Sequence, residues 1–376
     1  MSLAFILRER YHTRRLVSAS NPIPPARAWA DIDLGALVAN ARTVLSVSGS
    51  RLLPMVKANA YGIGAAAATR ALEAVDPWGY GVVTPEEGAA LRREGIGRPI
   101  VVFGPLSPEG IEHCLRDDLR PVVGDLEQLR RWLAAGHRPF HVEIDTGMSR
   151  LGFPWNDRHL LGEAGKLLDR APGWEGVFTH FHSADTDPDS AAGQWDRLHA
   201  VISAFPRRPT LVHAANSAAA MQGPRFAGDL VRPGIFLYGG AAGRSSSEVV
   251  VRFRAPVVAT RRVAAGDSVS YGATWRATSD TTIVTLGAGY ADGVPRSLSG
   301  VGKVELGGVL RPVAGRVTMD FTMVDVGDAE VPVGSVATIF GGAPSLDTQA
   351  AAAGTISYEL LTRLGPRVVR RYSGGV

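Results

Sequence analysis

The sequence predicts a (β/α)₈ barrel followed by a mainly antiparallel β domain. Two observations predict the barrel: eight short apolar strand candidates lie between residues 31 and 240, and helical patterns separate nearly all of them. Such alternation implies parallel strands with crossover helices, and eight units suggest a closed barrel. A third observation predicts the second domain, because short β-branched stretches separated by Gly, Asp and Pro follow residue 240. A doubly wound open sheet is the alternative to the barrel.

The barrel candidates are short and apolar, as buried parallel strands are. Helical patterns between them include residues 86–94, 125–135 and 191–205. Pro54 inside the first strand is an objection, which is smaller if it lies where the strand begins. The predicted barrel strands are 52–56, 79–83, 99–103, 120–123, 139–145, 174–179, 210–214 and 230–238.

The β domain is predicted to begin near residue 246, after a flexible Gly- and Ser-rich stretch at 239–247. The chain therefore divides into a barrel domain, 28–245, and a β domain, 246–376, and a first strand near 28–33 can also join the β domain. One helical segment, 356–364, interrupts the β pattern. The predicted β strands are 249–258, 268–271, 281–286, 301–317, 321–326 and 336–340.

The amino-terminal residues 1–27 are predicted to be a flexible extension, because their apolar run is too short for a signal peptide and prolines follow it. The charge of +4 is interspersed, which argues against nucleic acid or membrane partners. Cys114 is the single cysteine, so no intrachain disulfide and no cysteine metal cluster can form, and a cytoplasmic location is expected. Arginines within 367–371 suit a solvated surface or contacts to anions.

Lys57 follows the first predicted strand, and a glycine-rich turn and an alanine-rich helical stretch follow it. Partial burial would lower the pKa of its ammonium group and leave a nucleophilic amine that can form a Schiff base with an aldehyde. Tyr61, four residues later, can direct a phenol into the same cavity. A lysine that only extends its amine into solvent from a strand end is the commoner case.

Other polar residues stand where later barrel strands end, which is where barrel enzymes place their catalytic groups. Ser217 precedes an alanine-rich helix, where it can cap the helix or help to bind an anion. Arg232 precedes backbone N–H groups of Gly234 and Ile235 in the usual phosphate region, although it can also be a structural ion-pair partner. His180 suits either a core histidine or a ring stacked on a cofactor, and His182 is placed less well.

A lysine, phosphate donors, a flat side chain and an arginine directed into a barrel together suit pyridoxal phosphate. Nine motifs then resemble those of bacterial alanine racemase, a fold-type III enzyme that uses this cofactor. They follow the family order from about residue 28 to residue 372, and only the extension lies outside. The motifs are MVKANAYG at 55–62, DTGMSRLGF at 145–153, FTHF at 178–181, ANS at 215–217, VRPGI at 231–235, SYGAT at 270–274, GYADG at 289–293, GRVTMD at 315–320 and ISYE at 356–359.

The resemblance implies an isomerase that racemises L- and D-alanine for D-alanine biosynthesis. Lys57 is similar to the lysine that holds the cofactor and acts as the base on the D side. Tyr271 is similar to the opposing base, delivered from the β domain of the partner subunit, so a homodimer with shared sites is implied. Because an unperturbed phenol is a poor base at neutral pH, neighbours must lower its pKa.

The resemblance also implies roles for the remaining site residues, and it implies no metal. Arg232 would donate to the ring nitrogen and leave it unprotonated, which weakens the ring as an electron sink and disfavours transamination. The other implied roles are phosphate or cofactor binding for Tyr61, Asn216, Ser217, Gly234, Ile235 and Tyr358, packing beside the ring for His180, substrate-carboxylate contacts for Arg150 and the Met319 backbone, a part in the entrance gate for Tyr290, and a supporting role for Asp320.

Two positions depart from the family pattern. Ile63 stands where the family usually has histidine, so a polar contact near Tyr61 is lost. Glu143 stands where many members carry a lysine that becomes carbamylated and holds the substrate-binding arginine. We hypothesise that Glu143 replaces the carbamate and positions Arg150 by a charge-assisted hydrogen bond. The alternative is an exposed strand residue, with a bound anion holding Arg150.

Other functions remain open at this point. A racemase of another amino acid, such as serine, or of a broader set would share the motifs, and so would an aldolase or decarboxylase on the same scaffold. The Tyr271 motif favours racemisation, because those other reactions do not need a second base opposite Lys57. A non-catalytic carrier of pyridoxal phosphate is a further alternative, against which the β domain argues.

Overall fold

The computed structural model describes residues 27–375, so all but the last residue of the predicted extension 1–27 lies outside the described residues. Eight short parallel strands form the first sheet. A continuous ladder runs from the second strand to the seventh, and the eighth pairs with the first. The barrel strands are Arg51–Leu52, Tyr80–Val82, Ile100–Val102, Arg120–Val123, Phe140–Asp145, Trp174–Phe178, Leu211–His213 and Leu230–Val231.

Backbone hydrogen bonds close the two remaining seams of this sheet. The Val56 N–H donates to the Gly81 carbonyl at 2.8 Å, which joins the first strand to the second. The Arg232 N–H donates to the Ala215 carbonyl at 2.8 Å, which joins the eighth to the seventh. The eight strands therefore form a closed barrel rather than an open doubly wound sheet.

Helices surround the barrel, and a polar side chain begins most of them. Asp33, Ser107 and Asp125 each accept a hydrogen bond from a backbone N–H of the first turn. Thr84 and Glu87 form a reciprocal capping box at the start of the fourth helix. The barrel-domain helices are Leu34–Ser48, Lys57–Tyr61 (a single left-handed turn), Ala65–Leu72, Pro85–Arg93, Pro108–Arg116, Leu126–Ala135, Arg158–Asp169, Pro188–Ala204 and Ser217–Ala220, with short 3₁₀ turns at Glu73–Val75, Pro224–Phe226 and Ile235–Tyr238.

The predicted strand 230–238 is wrong after its first two residues. The ladder ends at Val231, because Pro233 has no N–H to donate, and Gly234 adopts φ −125° and ψ −95°. Residues 235–238 then form a buried 3₁₀ turn. Their apolar character reflects burial rather than strand structure, which periodicity cannot separate in so short a run.

The second domain is a mixed, mainly antiparallel sheet, and the predicted fold class is confirmed. The predicted strand 301–317 is two strands, since Gly307 and Gly308 at φ 63° and 76° make the tight turn of a hairpin. The strands are Val251–Val263, Ser268–Val269, Trp275–Arg276, Thr281–Leu286, Lys303–Leu306, Val309–Pro312, Thr322–Gly327, Val336–Phe340 and Val369–Ser373, with helices Leu346–Ala352 and Ser357–Thr362 and 3₁₀ turns at Tyr271–Ala273 and Arg296–Leu298.

The first strand of the described chain, Trp29–Asp33, belongs to this sheet. It pairs antiparallel with Val251–Val263 and parallel with Val369–Ser373. Arginines of the last strand region contact other parts of the protein: Arg370 donates to the Gly62 carbonyl at 3.0 Å, and the exposed Arg367 donates to Asp320 at 2.9 Å. A strand from each end of the described chain therefore holds the β domain against the barrel.

None of the helices within residues 27–375 has the length and apolarity needed to cross a membrane. In the same residues, no group of three His, Cys, Asp or Glu side chains is arranged to hold a metal ion. Cys114 is buried in the core.

Candidate active site at the carboxyl end of the barrel

The carboxyl ends of the barrel strands enclose a polar cavity. It gathers all the residues predicted to bind the cofactor, together with Glu143 and Arg150. Three apolar residues that line the cavity were not predicted from the sequence. They are Met55, Phe103 and Phe178, and the two phenylalanines lie at or near the ends of predicted strands. The lining residues are Met55, Lys57, Tyr61, Phe103, Glu143, Arg150, Phe178, His180, Asn216, Ser217, Arg232, Gly234, Ile235 and Tyr358.

Lys57 begins an unusual left-handed turn after the first barrel strand. The next four residues, none of them glycine, have φ between 52° and 55°, a conformation that costs about 1–2 kcal/mol per residue. The Glu87 carboxylate stabilises the turn by accepting hydrogen bonds from the N–H groups of Ala58 at 2.6 Å and Val83 at 2.8 Å. Burial lowers the pKa of Lys57, and the charge of Arg150 acts in the same direction. A larger share of neutral amine follows.

The Tyr61 hydroxyl closes one side of a narrow recess. Its ring stacks on Tyr238 with centroids 4.5 Å apart, and Tyr358 lies at 5.9 Å. A Cβ atom at Gly234 would lie 2.2 Å from the Tyr61 hydroxyl oxygen, so only glycine allows this close approach. The Gly234 N–H donates to Ser217 Oγ at 2.8 Å. Hydroxyl and backbone donors therefore converge where no side chain fits.

Asn216, rather than Ser217, caps the short helix after the seventh strand. Its Oδ1 accepts from the Ala219 N–H at 3.1 Å, and its backbone is extended as an N-cap requires. The capping role considered for Ser217 is therefore wrong. Its hydroxyl is free of the helix and faces the segment that follows the eighth strand.

Arg232 is buried beneath the cavity, and protein acceptors hold both of its terminal nitrogens. Nη1 donates to His213 Nδ1 at 2.8 Å, and Nη2 donates to the carbonyls of Thr179 at 2.9 Å and Ala214 at 3.0 Å. Burial lowers the pKa of Arg232 to about 10 against the opposing charge of Glu143, so the group stays charged at neutral pH. Within residues 27–375 no acceptor is found for the Nε N–H or for the second N–H of Nη1, so these donors stay available to a bound group.

His180 lies beside this guanidinium as a neutral ring. Burial and then the charges of Arg232 and Arg150 lower the pKa of His180 to about 3. Arg232 Nη2 donates to its Nδ1 at 3.2 Å. His182 is not part of the cavity lining, and its Nδ1 lies 2.7 Å from Ser183 Oγ.

Glu143 is buried at the cavity wall, so the alternative of an exposed strand residue is wrong. Gly152 makes room for it, since a Cβ there would lie 2.9 Å from Glu143 Cγ. Burial raises the pKa of Glu143 to about 6, and the charge of Arg150 partly opposes this shift. Within residues 27–375 no hydrogen bond joins Glu143 to Arg150, so the hypothesised direct bond is not formed and only their charges interact.

Ile63, the other departure, is buried in the hydrophobic core. Its carbonyl accepts a hydrogen bond from the Tyr372 hydroxyl at 2.7 Å. The last strand of the β domain therefore contacts the turn that follows Tyr61, where the family pattern places a polar side chain.

The remaining predicted site residues lie on the β domain and not on this cavity. Tyr271 is 71% exposed, Met319 53% and Tyr290 43%. Tyr271 opens a 3₁₀ turn directly after Ser270, whose φ of 70° is unusual for a residue with a side chain. The predicted strand 268–271 therefore ends two residues earlier, at Val269.

Asp292 connects the segments that carry these residues, and the sequence analysis missed it although it lies inside a quoted motif. Its buried carboxylate accepts from the Gly289 N–H at 2.9 Å and pairs with Arg27 at 2.8 Å and Arg367 at 3.1 Å. Because Arg367 also binds Asp320, the 289–293 and 318–321 segments are held together.

The cavity fits pyridoxal phosphate. A lysine amine with a lowered pKa suits an aldehyde, and the recess at Gly234 offers hydroxyl and backbone donors that suit a phosphate. An unpaired N–H of Arg232 suits a ring nitrogen, and neutral His180 suits a ring face. Fold and site together define a barrel enzyme that binds pyridoxal phosphate.

Comparison with known proteins then gives the family. Residues 32–242 match the family model of the alanine racemase N-terminal domain, and residues 250–372 match that of the C-terminal domain. The chain therefore belongs to the alanine racemase family, as the resemblance implied.

Individual relatives cover nearly the whole chain. The alanine racemase of Deinococcus radiodurans is 39% identical over 354 residues, which span 92% of this chain and 99% of the relative. The structure of alanine racemase from D-cycloserine-producing Streptomyces lavendulae has a TM-score of 0.87 at 34% identity and covers 94% of this chain and 98% of that one. Alanine racemase from Bartonella henselae, solved with covalently bound pyridoxal phosphate, has a TM-score of 0.86 at 30% identity and covers 93% and 100%.

Proposed function

We propose that this chain interconverts L- and D-alanine with pyridoxal phosphate by a two-base mechanism, with Lys57 and Tyr271 on opposite faces of the substrate. Family membership confirms the predicted enzyme class, reaction and cofactor. The observation that supports the residue assignments is the cavity itself, which Lys57, Ser217 and Arg232 line together.

The cavity residues would hold the cofactor at both ends. Lys57 would bind its aldehyde covalently, and the phosphate would lie in the recess of Tyr61, Ser217 and Gly234, with Asn216, Ile235 and Tyr358 beside it. When bound, pyridoxal phosphate withdraws electrons from the substrate α-carbon and makes its proton acidic. His180, neutral at working pH, would pack beside the ring without adding charge.

Arg232 would donate one of its unpaired N–H groups to the ring nitrogen. Because a guanidinium keeps its proton near neutral pH, even with a pKa of about 10, Arg232 would not transfer a proton to that nitrogen. It therefore limits how much negative charge the ring accepts, which favours return of a proton to the α-carbon over transamination.

Proton transfer would fall to two groups. Lys57, whose pKa burial lowers, would take or return the proton on the D side through Nζ. The Tyr271 hydroxyl would do the same on the L side. A proton removed on one face and delivered on the other inverts the α-carbon, and this geometry is the reason for two bases.

This assignment requires a homodimer with shared active sites. Tyr271 and Met319 are exposed on the β domain, and the cavity lining contains no residue between 246 and 357. The same region exposes apolar side chains, including Phe321 and Ile356, which suit burial against a second copy. Dilution of the enzyme into monomers should therefore abolish turnover while pyridoxal phosphate stays bound, and a fully active monomer in sedimentation would contradict the shared site.

Substrate recognition would use Arg150 and the Met319 backbone for the carboxylate, with Glu143 acting on Arg150 through its charge. Tyr290 would lie at the entrance, and Asp320 would have a supporting role through its bond to Arg367. The lone buried cysteine agrees with a cytoplasmic enzyme that supplies D-alanine.

The decisive experiment offers the purified enzyme each L-amino acid in turn and follows the loss of optical rotation. L-Alanine should racemise fastest. Because Glu143 replaces a lysine next to the substrate arginine, faster racemisation of serine or of a broad set would instead identify a racemase of different range. Bound cofactor without any racemisation would identify a carrier.

A further inference from the structure

A chain of polar side chains crosses the barrel interior beneath Arg232. It begins at the guanidinium near the carboxyl ends of the strands and continues through His213 and His141 to Glu175 and Arg120 near the amino ends. Each comes from a different barrel strand or its end. The two imidazoles are fully buried, and Gly176 makes room for one of them, since a Cβ there would lie 2.5 Å from His141 Nδ1.

The hydrogen bonds fix the position of every proton in this chain. A guanidinium only donates, so His213 Nδ1, 2.8 Å from Arg232 Nη1, must accept. Burial lowers the pKa of both imidazoles, so each is neutral and carries a single N–H. The His213 proton is therefore on Nε2, which donates to His141 Nδ1 at 2.8 Å. The His141 proton is then on Nε2 as well.

Glu175 ends the chain with an acceptor. His141 Nε2 lies 3.2 Å from Glu175 Oε2, and Arg120 Nε lies 2.7 Å from the same oxygen. Burial acts to raise the pKa of Glu175, but the hydrogen bond from His141 and the charge of Arg120 hold it below its usual value. The guanidinium of Arg232 can only donate, and the carboxylate of Glu175 can only accept. Both ends therefore require each imidazole to accept from the Arg232 side and to donate toward Glu175.

We propose that Glu175 is a positioning residue for Arg232, acting through the tautomers of His141 and His213. This inference deepens the proposed function, on which it rests for the contact between Arg232 and the ring nitrogen. The carboxylate keeps the proton of His141 on Nε2, which leaves Nδ1 of His141 to accept from His213. That in turn leaves Nδ1 of His213 to accept from Arg232.

The opposite tautomer would set an N–H of His213 against an N–H of Arg232. The guanidinium would still have the carbonyls of Thr179 and Ala214 on Nη2, so it would rotate rather than leave the site. Rotation about that anchor moves the unpaired N–H groups of Nε and Nη1, which are the donors left for the cofactor ring. Loss of the Glu175 acceptor therefore affects cofactor binding from the far end of the barrel.

The test compares Glu175→Leu, which removes the acceptor, with Glu175→Gln, which keeps an oxygen at the same place. Glu163→Leu is the control, because Glu163 pairs with Arg130 on an outer helix. Holoenzyme labelled with ¹⁵N-histidine reports which nitrogen of each imidazole carries the proton, and His141→Asn and His213→Asn variants assign the signals. Dilution of the holoenzyme, followed by cofactor absorbance, gives the dissociation constant of pyridoxal phosphate.

In the wild type, His213 Nδ1 should be unprotonated. Glu175→Leu should move the His213 signals toward the other tautomer and raise the dissociation constant about tenfold, the size expected when a hydrogen bond to a charged group is lost. Glu175→Gln should restore both within about threefold, and the control should change neither.

A protonated Nδ1 on His213 of the wild type would overturn the proposal, even if the leucine variant does not fold. Unchanged tautomers and cofactor affinity in a folded leucine variant would overturn it too. The histidine spectrum does not depend on turnover. An enzyme that fails to racemise alanine would therefore contradict the proposed function, but the histidine measurement would still test the role of Glu175.

Discussion

The barrel cavity and the exposed face of the β domain differ in how their functional groups are held. In the cavity, Arg232 has four protein acceptors, and strand ends, caps and a left-handed turn fix Lys57 and Tyr61. On the β domain, Tyr271 is 71% exposed, and within residues 27–375 its hydroxyl has no hydrogen-bond partner. One chain thus builds the candidate cofactor cavity but presents the proposed second base outward. The difference supports a site that two chains complete.

The largest effect is expected for Lys57→Ala, which removes the covalent link and one base. Racemisation should fall by at least about 10⁴-fold, because a nucleophile and a general base are lost together. Turnover of alanine and absorbance of the purified protein measure both losses. Lys303→Ala, at an exposed strand position, is the matched control and should change neither. A Lys57→Ala enzyme that is still yellow and active would show that Lys57 in the barrel cavity is not the residue that binds the cofactor.

Tyr271→Phe tests the role proposed for the exposed face of the β domain. Removal of one hydroxyl should lower kcat by about 10²–10⁴-fold, the usual contribution of a general base, while the cofactor stays bound. A mixture of this variant with Lys57→Ala sharpens the test, because each mixed dimer would contain one intact site. Random exchange should restore about a quarter of wild-type turnover, since about half of the dimers are mixed and one site of two is intact in each. No recovery after exchange would show that both bases come from one chain.

Gly234→Ala should have an intermediate effect, confined to the cavity. The added methyl group would lie 2.2 Å from the Tyr61 hydroxyl oxygen and displace it from the recess. Affinity for pyridoxal phosphate should fall about tenfold or more, as expected when an overpacked site loses a hydrogen bond to a charged group. Gly97→Ala is the control, because a Cβ there meets no atom within 4 Å. Unchanged cofactor affinity would mean that the phosphate lies elsewhere.

The same comparison explains what the sequence could predict. The barrel strands and the polar residues at their ends could be predicted from the local sequence pattern. The residues that follow the apolar runs all lie at the carboxyl end of the barrel. The 3₁₀ turn after Gly234 and the hairpin at Gly307 were missed, since buried apolar residues and β-branched residues look alike in turns and strands.

Contacts between distant parts of the chain carried no local signal. The ion pair between Asp292 and Arg27 joins residues 265 positions apart. The hydrogen bond between His141 and His213 depends on which strands are neighbours in space. The Glu143 hypothesis predicted a hydrogen bond to Arg150, but within residues 27–375 the two side chains interact through their charges alone.

Glu143→Gln should have the smallest effect and tests whether charge without contact matters at the cavity wall. Because burial raises the pKa of Glu143 to about 6, its carboxylate is ionised above that pH and attracts Arg150. As pH falls through about 6 the charge is lost, so KM for alanine should rise a few-fold in the wild type. In the glutamine variant KM should be raised by about the same few-fold at every pH, because a partly exposed pair contributes about 1 kcal/mol or less.

The pH dependence of KM for wild type, Glu143→Gln and the outer-helix control Glu163→Gln separates this effect from other titrating groups. A glutamine variant with wild-type KM at pH 8 would show that Arg150 needs no carboxylate from this strand.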